Sequence, residues 1–300
     1  MWFKNLLVYR LAPDSAIKAE DLEEKLKANA LQPCGSFEME SRGWVSPRSN
    51  DLFVHSLQRQ WLLMFGANQK LLPGSIITQT AKERAASLAE KQEHPVGRKQ
   101  MRDIRERVLE ELMPKALSRR RTLGVWIDPV NHWLIIDTAA DKKADELLEA
   151  LIGADVEVAA KRLECQQSPS AQMTLWLSSG QVPAPFTIDQ DLELQASGES
   201  RATVRYVNHP LEGREIREHI SGGKVATRMA MTWKNRVSFV LTDQLQIKRV
   251  AFLDILKDET QDQADDAEEQ FDIDFALMTG ELAAMLADLV EALGGEKNSA

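Results

Sequence analysis

Apolar and polar residues recur along the chain with two different periods, which predict strands and helices in turn. Residues 3–11 are mostly apolar and rich in strand formers, and Pro13 ends this run, so a buried strand is expected. Residues 19–30 space leucines four apart among Lys and Glu, which predicts an amphipathic helix. Residues 53–57 and 61–65 predict a pair of strands. The amino-terminal segment is therefore expected to alternate between strand and helix.

Two charged helical stretches follow, at residues 76–93 and 98–113, and His-Pro-Val-Gly at 94–97 separates them. Their apolar content is low, so the pair can bury little surface. We expect a helical hairpin that projects from the body of the protein.

The remaining pattern predicts more strands, a few helices and one loop. Strands are expected at residues 122–128, 132–138, 192–196, 202–207, 224–233, 236–242 and 246–253, helices at 141–152 and 275–293, and a loop at 166–171. This is an α+β pattern with antiparallel or mixed sheets and a C-terminal helix. We divide it into a central α+β domain (residues 1–75 and 122–165), a helical tip (76–121) and a C-terminal α+β base domain (166–300).

Charge is distributed unevenly. The net charge of -9 argues against a nucleic-acid partner. Residues 201–250, however, hold ten Lys and Arg against four Asp and Glu, and residues 81–123 hold twelve against seven, whereas residues 251–300 hold two against fourteen. Such segregation is what an acidic protein that binds a polyanion must show, although ordinary charge clustering on solvated helices explains the same counts.

Targeting and cysteine signals point to the cytoplasm. The amino terminus has no basic segment followed by an apolar stretch, and no long uncharged apolar run occurs, so neither a signal peptide nor a membrane span is expected. Cys34 and Cys165 are far apart and belong to no metal-binding motif. Reduced thiols and no zinc site are expected.

Strands of the C-terminal half predict a basic sheet face, because side chains alternate along a strand. Residues 224–233 then divide into an apolar face and a face with Lys224 and Arg228, and Arg201 and Arg205 share one face of their own strand. The neighbouring turn and strand add Lys234, Arg236, Lys248 and Arg249. These eight residues predict a positive floor for duplex DNA, while the alternative is an ordinary solvated sheet face.

A second basic candidate follows the helical stretches. Lys115 precedes three consecutive arginines, Arg119, Arg120 and Arg121, which suit a phosphate clamp. A surface charge run at a helix end is the equally good alternative. Neither candidate has interleaved aromatic residues, so stacking on single-stranded bases is less supported than contact with the duplex backbone, and single strands are expected to bind more weakly.

Catalytic motifs are mostly missing. Residues 221–225 resemble the end of a phosphate-binding loop, but Glu218 stands where its first glycine belongs and Val225 replaces its Ser or Thr. Asp128 and Asp137 end a predicted hairpin and could pair as the metal-binding carboxylates of a nuclease, but carboxylates there are more often turn residues. We expect no enzyme, cofactor or metal. The nine carboxylates of residues 258–274 are expected to form a solvated linker or outer surface.

Several short motifs, in their order and spacing, resemble the RdgC family of bacterial recombination-associated proteins along nearly the full chain. They are MWFKNL at 1–6, PCG at 33–35, GWV at 43–45, MPKALSR at 113–119, WID at 126–128, GKVAT at 223–227, FDIDF at 271–275 and LMTGEL at 277–282. The resemblance implies a horseshoe-shaped subunit that pairs into a closed ring dimer around duplex DNA. It also implies a nucleoid-associated protein that limits access of the RecA recombinase to DNA, without enzymatic activity or cofactor.

The resemblance also implies a closing interface at Leu117, which faces a loop holding Asn208 and His209. In the family a phenylalanine can stand at the first position, and a lysine and a glutamine at the other two. Leucine buries less surface than phenylalanine, so this contact is expected to be weaker. Two other classes compete with the DNA-encircling regulator: a metal-dependent nuclease, and a protein–protein adaptor with incidental charge.

Overall fold

The fold is α+β, with two antiparallel sheets and seven α-helices within the described residues of a computed structural model. The structure describes residues 2–12, 17–48, 50–198, 201–253 and 266–297. The strands and helices follow from the two hydrophobic periods of the sequence.

The first sheet has seven strands in the order β2-β4-β5-β6-β1-β7, and β3 also pairs with β4. The strands are β1 (Leu7–Leu11), β2 (Glu40–Val45), β3 (Val54–Leu57), β4 (Gln60–Lys70), β5 (Ser118–Asp128), β6 (Trp133–Ile136) and β7 (Ala160–Arg162). Helices α1 (Ala19–Ala28) and α4 (Asp141–Gly153) pack on one face through leucines four apart, such as Leu22 and Leu26.

Two helices, α2 (Gly74–Gln92) and α3 (Arg98–Leu112), form the hairpin that connects β4 to β5. Of their residues only Ala81, Ala85 and Val108 are buried. Small side chains let the two helices approach closely, but they bury little apolar area. The hairpin is thus an exposed, highly charged pair, as the sequence predicts.

The second sheet has five strands in the order β12-β11-β10-β8-β9. They are β8 (Phe186–Ala196), β9 (Thr203–Tyr206), β10 (Lys224–Trp233), β11 (Val237–Thr242) and β12 (Ile247–Phe252). Helices α5 (Pro169–Ser179), α6 (Arg214–Ser221) and α7 (Ala267–Ala292) belong to this half of the chain. Buried residues of all three helices share one core with Met229, Met231 and Trp233, so the helices cover one face of the sheet.

The two sheets share this core. Leu62 and Trp126 of the first sheet pack in the same cluster as Phe239 of the second. The main chain joins them too, because Leu6 N donates to Ile247 O at 2.7 Å and Ile247 N donates to Leu6 O at 3.2 Å. The position of the second sheet relative to the first is therefore fixed by packing and by hydrogen bonds.

Most predicted elements are present, and the differences have local causes. The predicted loop at 166–171 is wrong in its second half, because Pro169 begins α5 and Ser168 Oγ caps it by accepting from Ala171 N at 3.1 Å. The predicted strand at 192–196 begins at Phe186 instead. The strand predicted at 122–128 begins at Ser118, which places the arginine triplet on a strand.

Candidate nucleic-acid interface

A β-bulge in β10 overturns part of the predicted basic face. Ala226 pairs with Leu194 and Arg228 with Glu193, so Thr227 is one extra residue and the alternation shifts there. Ala226 is fully buried in the core, and Lys224, two residues earlier, lies on that helix-covered side with its Nζ 3.3 Å from Nδ1 of His219 in α6. The prediction that Lys224 and Arg228 share a face is therefore wrong.

Arg228 lies on the face of the second sheet opposite α5 and α7, which we call the open face. Beyond the bulge, Met229 and Met231 point into the core, so Arg228 points away from it with half of its side chain exposed (50%). Lys248 of β12 lies on the same face, because it pairs with Val240, which in turn pairs with Ala230.

Arg228 and Lys248 are close enough to repel each other. Burial lowers the pKa of Lys248 and the Arg228 charge lowers it further, while Asp141 and Asp243 act in the opposite direction. Lys248 has no ion pair with any described residue. An anion placed between the two cations would relieve this repulsion, so the open face favours phosphate at this point.

Three carboxylates of β8 neutralise part of the open face. Arg205 Nε donates to Glu193 Oε2 at 2.5 Å, and Arg249 NH1 lies 3.6 Å from Asp191 Oδ2. Asp189 accepts from Thr232 Oγ1 at 2.9 Å. Sequence reasoning missed these carboxylates, although their spacing of two along one strand was a readable signal.

Arg201 stands apart from the arginines of the sheet. It is exposed, precedes β9 and has a positive φ of 42°. The predicted alternation of Arg201 with Arg205 therefore does not extend along one continuous strand.

Lys234 and Arg236 are not on the open face but contact α7. Lys234 Nζ lies 3.0 Å from Asp288 Oδ2, which also accepts from Trp233 Nε1 at 2.7 Å. Arg236 binds Glu281 through Nε and NH2 at 2.8–3.0 Å. These contacts fasten the β10–β11 turn to α7, so both residues hold the fold together here.

The arginine triplet does not form a single clamp. Because β5 begins at Ser118, Arg119 and Arg121 lie on one face of the first sheet and Arg120 on the other. Arg120 Nε donates to Asn68 Oδ1 of β4 at 3.1 Å. Lys115 lies in a short 3-10 turn, 3.8 Å from Glu111. All four are exposed, but they do not converge on one point.

Leu117 is among the most exposed large apolar side chains described, at 78%. Its carbonyl accepts from Leu71 N at 2.7 Å, and Leu71 is 49% exposed, so the two form an apolar surface beside the hairpin. Asn208 and His209 lie in the loop after β9, where Asn208 has a positive φ of 51° and donates its N–H to Asp191 Oδ1 at 3.0 Å. Among the described residues of one chain, no hydrogen bond or ion pair joins Leu117 to that loop.

Asp128 and Asp137 are engaged by the protein itself. Asp128 is fully buried and accepts from the backbone N–H groups of Val130 and Asn131 at 2.9 and 3.0 Å. Asp137 Oδ1 accepts from the N–H groups of Lys4 and Asn5, both at 2.9 Å. Burial raises the pKa of Asp137, and these two N–H groups act against it. Both carboxylates thus serve the fold as turn and chain-end acceptors.

Neither a metal-binding cluster nor a helix able to span a membrane occurs among the described residues. No group of three or more His, Cys, Asp and Glu there is arranged to hold a metal ion. None of the helices in that part of the chain combines the length and apolar character that crossing a bilayer requires.

The structure defines a two-sheet α+β protein with a charged hairpin and an open sheet face that presents cations. Residues 1–296 match a family model described as "RdgC: Putative exonuclease, RdgC". The chain is 51% identical over 299 residues to the Recombination-associated protein RdgC of Cupriavidus pinatubonensis, covering 100% of both chains. Proteins of the same name from Herminiimonas arsenicoxydans and Bordetella pertussis are 50% and 51% identical over 297 residues, with 99% of each chain covered.

The chain therefore belongs to the RdgC family of recombination-associated proteins, as its motifs predict. The names of these relatives state no enzymatic activity, whereas the description of the family model contains the word exonuclease.

Proposed function

We propose that this protein binds duplex DNA without reading base sequence, encircles it as a ring-shaped homodimer and limits access of RecA to it. The observation that carries the DNA-binding part is that Arg228 and Lys248 lie on the same open face two strands apart, with half of the Arg228 side chain exposed and no ion pair between Lys248 and any described residue. The recombination-associated names of the relatives support the proposal independently.

Backbone contact is the mode that these side chains suit. A guanidinium and an ammonium bind phosphate oxygens irrespective of sequence, and each neutralised phosphate releases counterions. The partial neutralisation by Glu193 and Asp191 keeps the face from being uniformly positive. Binding is then expected to be moderate and to decrease steeply with salt.

The ring is proposed from the apolar surface at Leu117 and Leu71. An exposed pair of this kind is poorly suited to water, and a second copy of the chain would cover it by bringing up its loop with Asn208 and His209. Of the acidic stretch 258–274, residues 258–265 lie outside the described residues. The remainder begins α7, where Asp272 Oδ1 accepts from Arg48 NH2 at 2.6 Å.

We propose no enzymatic step. The nuclease alternative needs free carboxylates, but Asp128 and Asp137 already accept backbone hydrogen bonds. A protein–protein adaptor would not bind DNA, so the DNA-binding experiment described next distinguishes it from the proposed function.

The test is binding of two labelled duplexes of unrelated sequence across a salt series, with EDTA present and the mass of the free protein measured by light scattering. We expect a dimer that binds both duplexes alike and loses about three orders of magnitude or more in affinity between about 50 and 200 mM salt if six or more phosphates are contacted. The variant Arg228→Glu/Lys248→Glu is expected to lose most of this affinity.

Lys18→Glu/Lys27→Glu is the matched control, because it changes the net charge equally at two exposed lysines at the ends of α1, which packs on the first sheet. If the wild-type protein does not bind DNA at about 50 mM salt, the result would favour the protein–protein adaptor. Binding or DNA cleavage that requires Mg²⁺ would favour the nuclease. Unchanged binding by the double variant would move the site away from the open face.

A further inference from the structure

The helical hairpin carries a basic flank that the sequence analysis did not single out. Arg84 NH2 donates to Glu111 Oε2 at 2.6 Å, so these residues mark one flank of the α2–α3 pair. Arg102 precedes Glu111 by nine residues, which is half a helical turn after two complete turns, and Lys82 precedes Arg84 by two, slightly more than half a turn. Arg102 and Lys82 therefore lie on the opposite flank.

Two more arginines extend this flank. Arg98 and Arg105 are four residues before and three residues after Arg102, which are the spacings that put side chains on one stripe of a helix. All four cations are exposed. Among the described residues, Arg98, Arg105 and Lys82 have no ion pair, and Arg102 has only a loose one, at 3.8 Å from Glu106.

The charge of the flank differs from that of the rest of the hairpin. Arg84 is paired with Glu111, and Glu110 and Asp103 lie on the outer side of α3, roughly 100° or more around the helix from Arg98. Lys91, Lys99 and Arg107 are also exposed, but they lie on other sides of the hairpin, whereas the flank aligns four cations along one line.

We infer that this basic flank, formed by Lys82, Arg98, Arg102 and Arg105, is a second DNA-binding site that follows the phosphates of one strand of a duplex. From Arg98 to Arg105 the helix rises about 10 Å, over which one DNA strand carries about three phosphates. Arginines stay charged and can bind each phosphate with two hydrogen bonds. The inference rests on the proposed function, and it assigns the hairpin a direct role in DNA binding.

The test compares two triple variants of the full-length protein with the wild type on the same labelled duplex across a salt series. Arg98→Gln/Arg102→Gln/Arg105→Gln keeps helix-forming side chains and removes three charges from the basic flank. We expect the slope of log affinity against log salt to become shallower by about 3. We expect affinity to decrease by at least tenfold at low salt, and dimer mass and helix content by circular dichroism to stay unchanged.

The matched control removes three positive charges from other sides of the same hairpin, at exposed residues that have no ion pair with any described residue: Lys91→Gln/Lys99→Gln/Arg107→Gln. It changes the net charge equally, so equal losses in both variants would show a general charge effect and overturn the inference. Unchanged binding by the first variant would also overturn it, while the open-face variant still tests the proposed function. Loss of the dimer with unchanged DNA affinity per binding unit would instead assign the flank to contact between copies.

Discussion

Arg228 and Glu193 face each other across β10 and β8, with Arg228 Nε 3.8 Å from Glu193 Oε1, while Arg205 Nε donates to Oε2 of the same carboxylate at 2.5 Å. One carboxylate with 12% of its side chain exposed thus lies between two arginines of the open face. Burial raises the pKa of Glu193, but hydrogen bonds from Thr227 and Arg205 and the charges of both arginines outweigh it and hold that pKa below its usual value. Glu193 is therefore anionic at neutral pH and competes with DNA for both guanidiniums.

Replacing this carboxylate is expected to strengthen DNA binding. Glu193→Gln keeps an oxygen that can accept from Thr227 Oγ1 but removes the charge. We expect affinity for duplex DNA to rise about tenfold at low salt, which corresponds to about 1.4 kcal/mol. Fluorescence anisotropy measures the effect, and Glu149→Gln on the exposed face of α4 is the control. Weaker binding by the variant would show that Glu193 is needed to hold the arginines in place.

The Glu193 carboxylate is also expected to make the free energy of unfolding depend on pH in the acidic range. A carboxyl group whose pKa is lower in the folded state contributes stability above its unfolded pKa, and this contribution is lost as pH decreases through the folded pKa. Chemical unfolding of the wild type at a series of acidic pH values should show this loss, and Glu193→Gln should show less of it. Identical pH profiles would mean that the arginines stabilise the fold without Glu193.

Arg236 is predicted to matter for stability and not for DNA binding. It binds Glu281 through two nitrogens, and only 29% and 15% of the two side chains are exposed. Arg236→Ala is expected to cost about 1–3 kcal/mol, because it leaves Glu281 without its principal cation. Urea unfolding measures this loss of stability. Arg236→Lys keeps the charge but cannot bind Glu281 through two nitrogens, so it should recover part of the stability. A tenfold loss of DNA affinity without loss of stability would return Arg236 to the DNA site.

The long helices were largely predictable from the sequence, because residues that favour helices continue for several turns between clear helix breakers. The hairpin was predicted at 76–93 and 98–113 and lies at Gly74–Gln92 and Arg98–Leu112. Helix α5 was missed at its start because Ser168 and Pro169 belong to residue types common in loops, although here they cap the helix and begin its first turn.

The candidate site was less predictable, because the sequence gives the type of each residue but not the sheet face or the partner that the fold assigns to it. Thr227 is one extra residue in a strand, and nothing in its type indicates that it moves Lys224 to the opposite face. Arg236 and Glu281 are 45 residues apart, so their pairing depends on how α7 packs on the sheet. Short-range pattern does not contain that information, whereas the spacing of Arg98, Arg102 and Arg105 does show the basic flank.

Asp137 provides a test of the nuclease alternative, because its raised pKa predicts the direction in which stability changes with pH. Burial raises its pKa above the usual value, so deprotonation opposes folding, and stability rises as pH decreases through the folded pKa. Asp137→Asn keeps an oxygen for the N–H groups of Lys4 and Asn5 without the buried charge. We expect a higher melting temperature than wild type at neutral pH, a difference that shrinks on acidification, and unchanged DNA binding.

Asp128→Asn is the contrasting variant. Asp128 Oδ2 accepts from Asn131 Nδ2 at 2.7 Å, and an amide nitrogen there would meet another donor, so about 1–3 kcal/mol of stability should be lost. Both proteins are incubated with end-labelled duplex and Mg²⁺ beside the wild type. Wild-type cleavage that either variant abolishes would support a metal-dependent nuclease, contrary to our proposal.

Leu117 is expected to control ring closure. Its side chain is 78% exposed in the single chain, so an aspartate in its place costs the subunit itself little. In a closed dimer, however, the charge would be buried against the partner, which is unfavourable without a cation to pair with it. Leu117→Asp should therefore shift the light-scattering mass toward the monomer and speed release from closed circular DNA, on which an intact ring would be trapped. Val130→Asp is the control, since Val130 is also exposed, at 49%, but lies in the β5–β6 turn. A Leu117→Asp protein that stays dimeric and is retained on circles like the wild type would place the closing contact elsewhere.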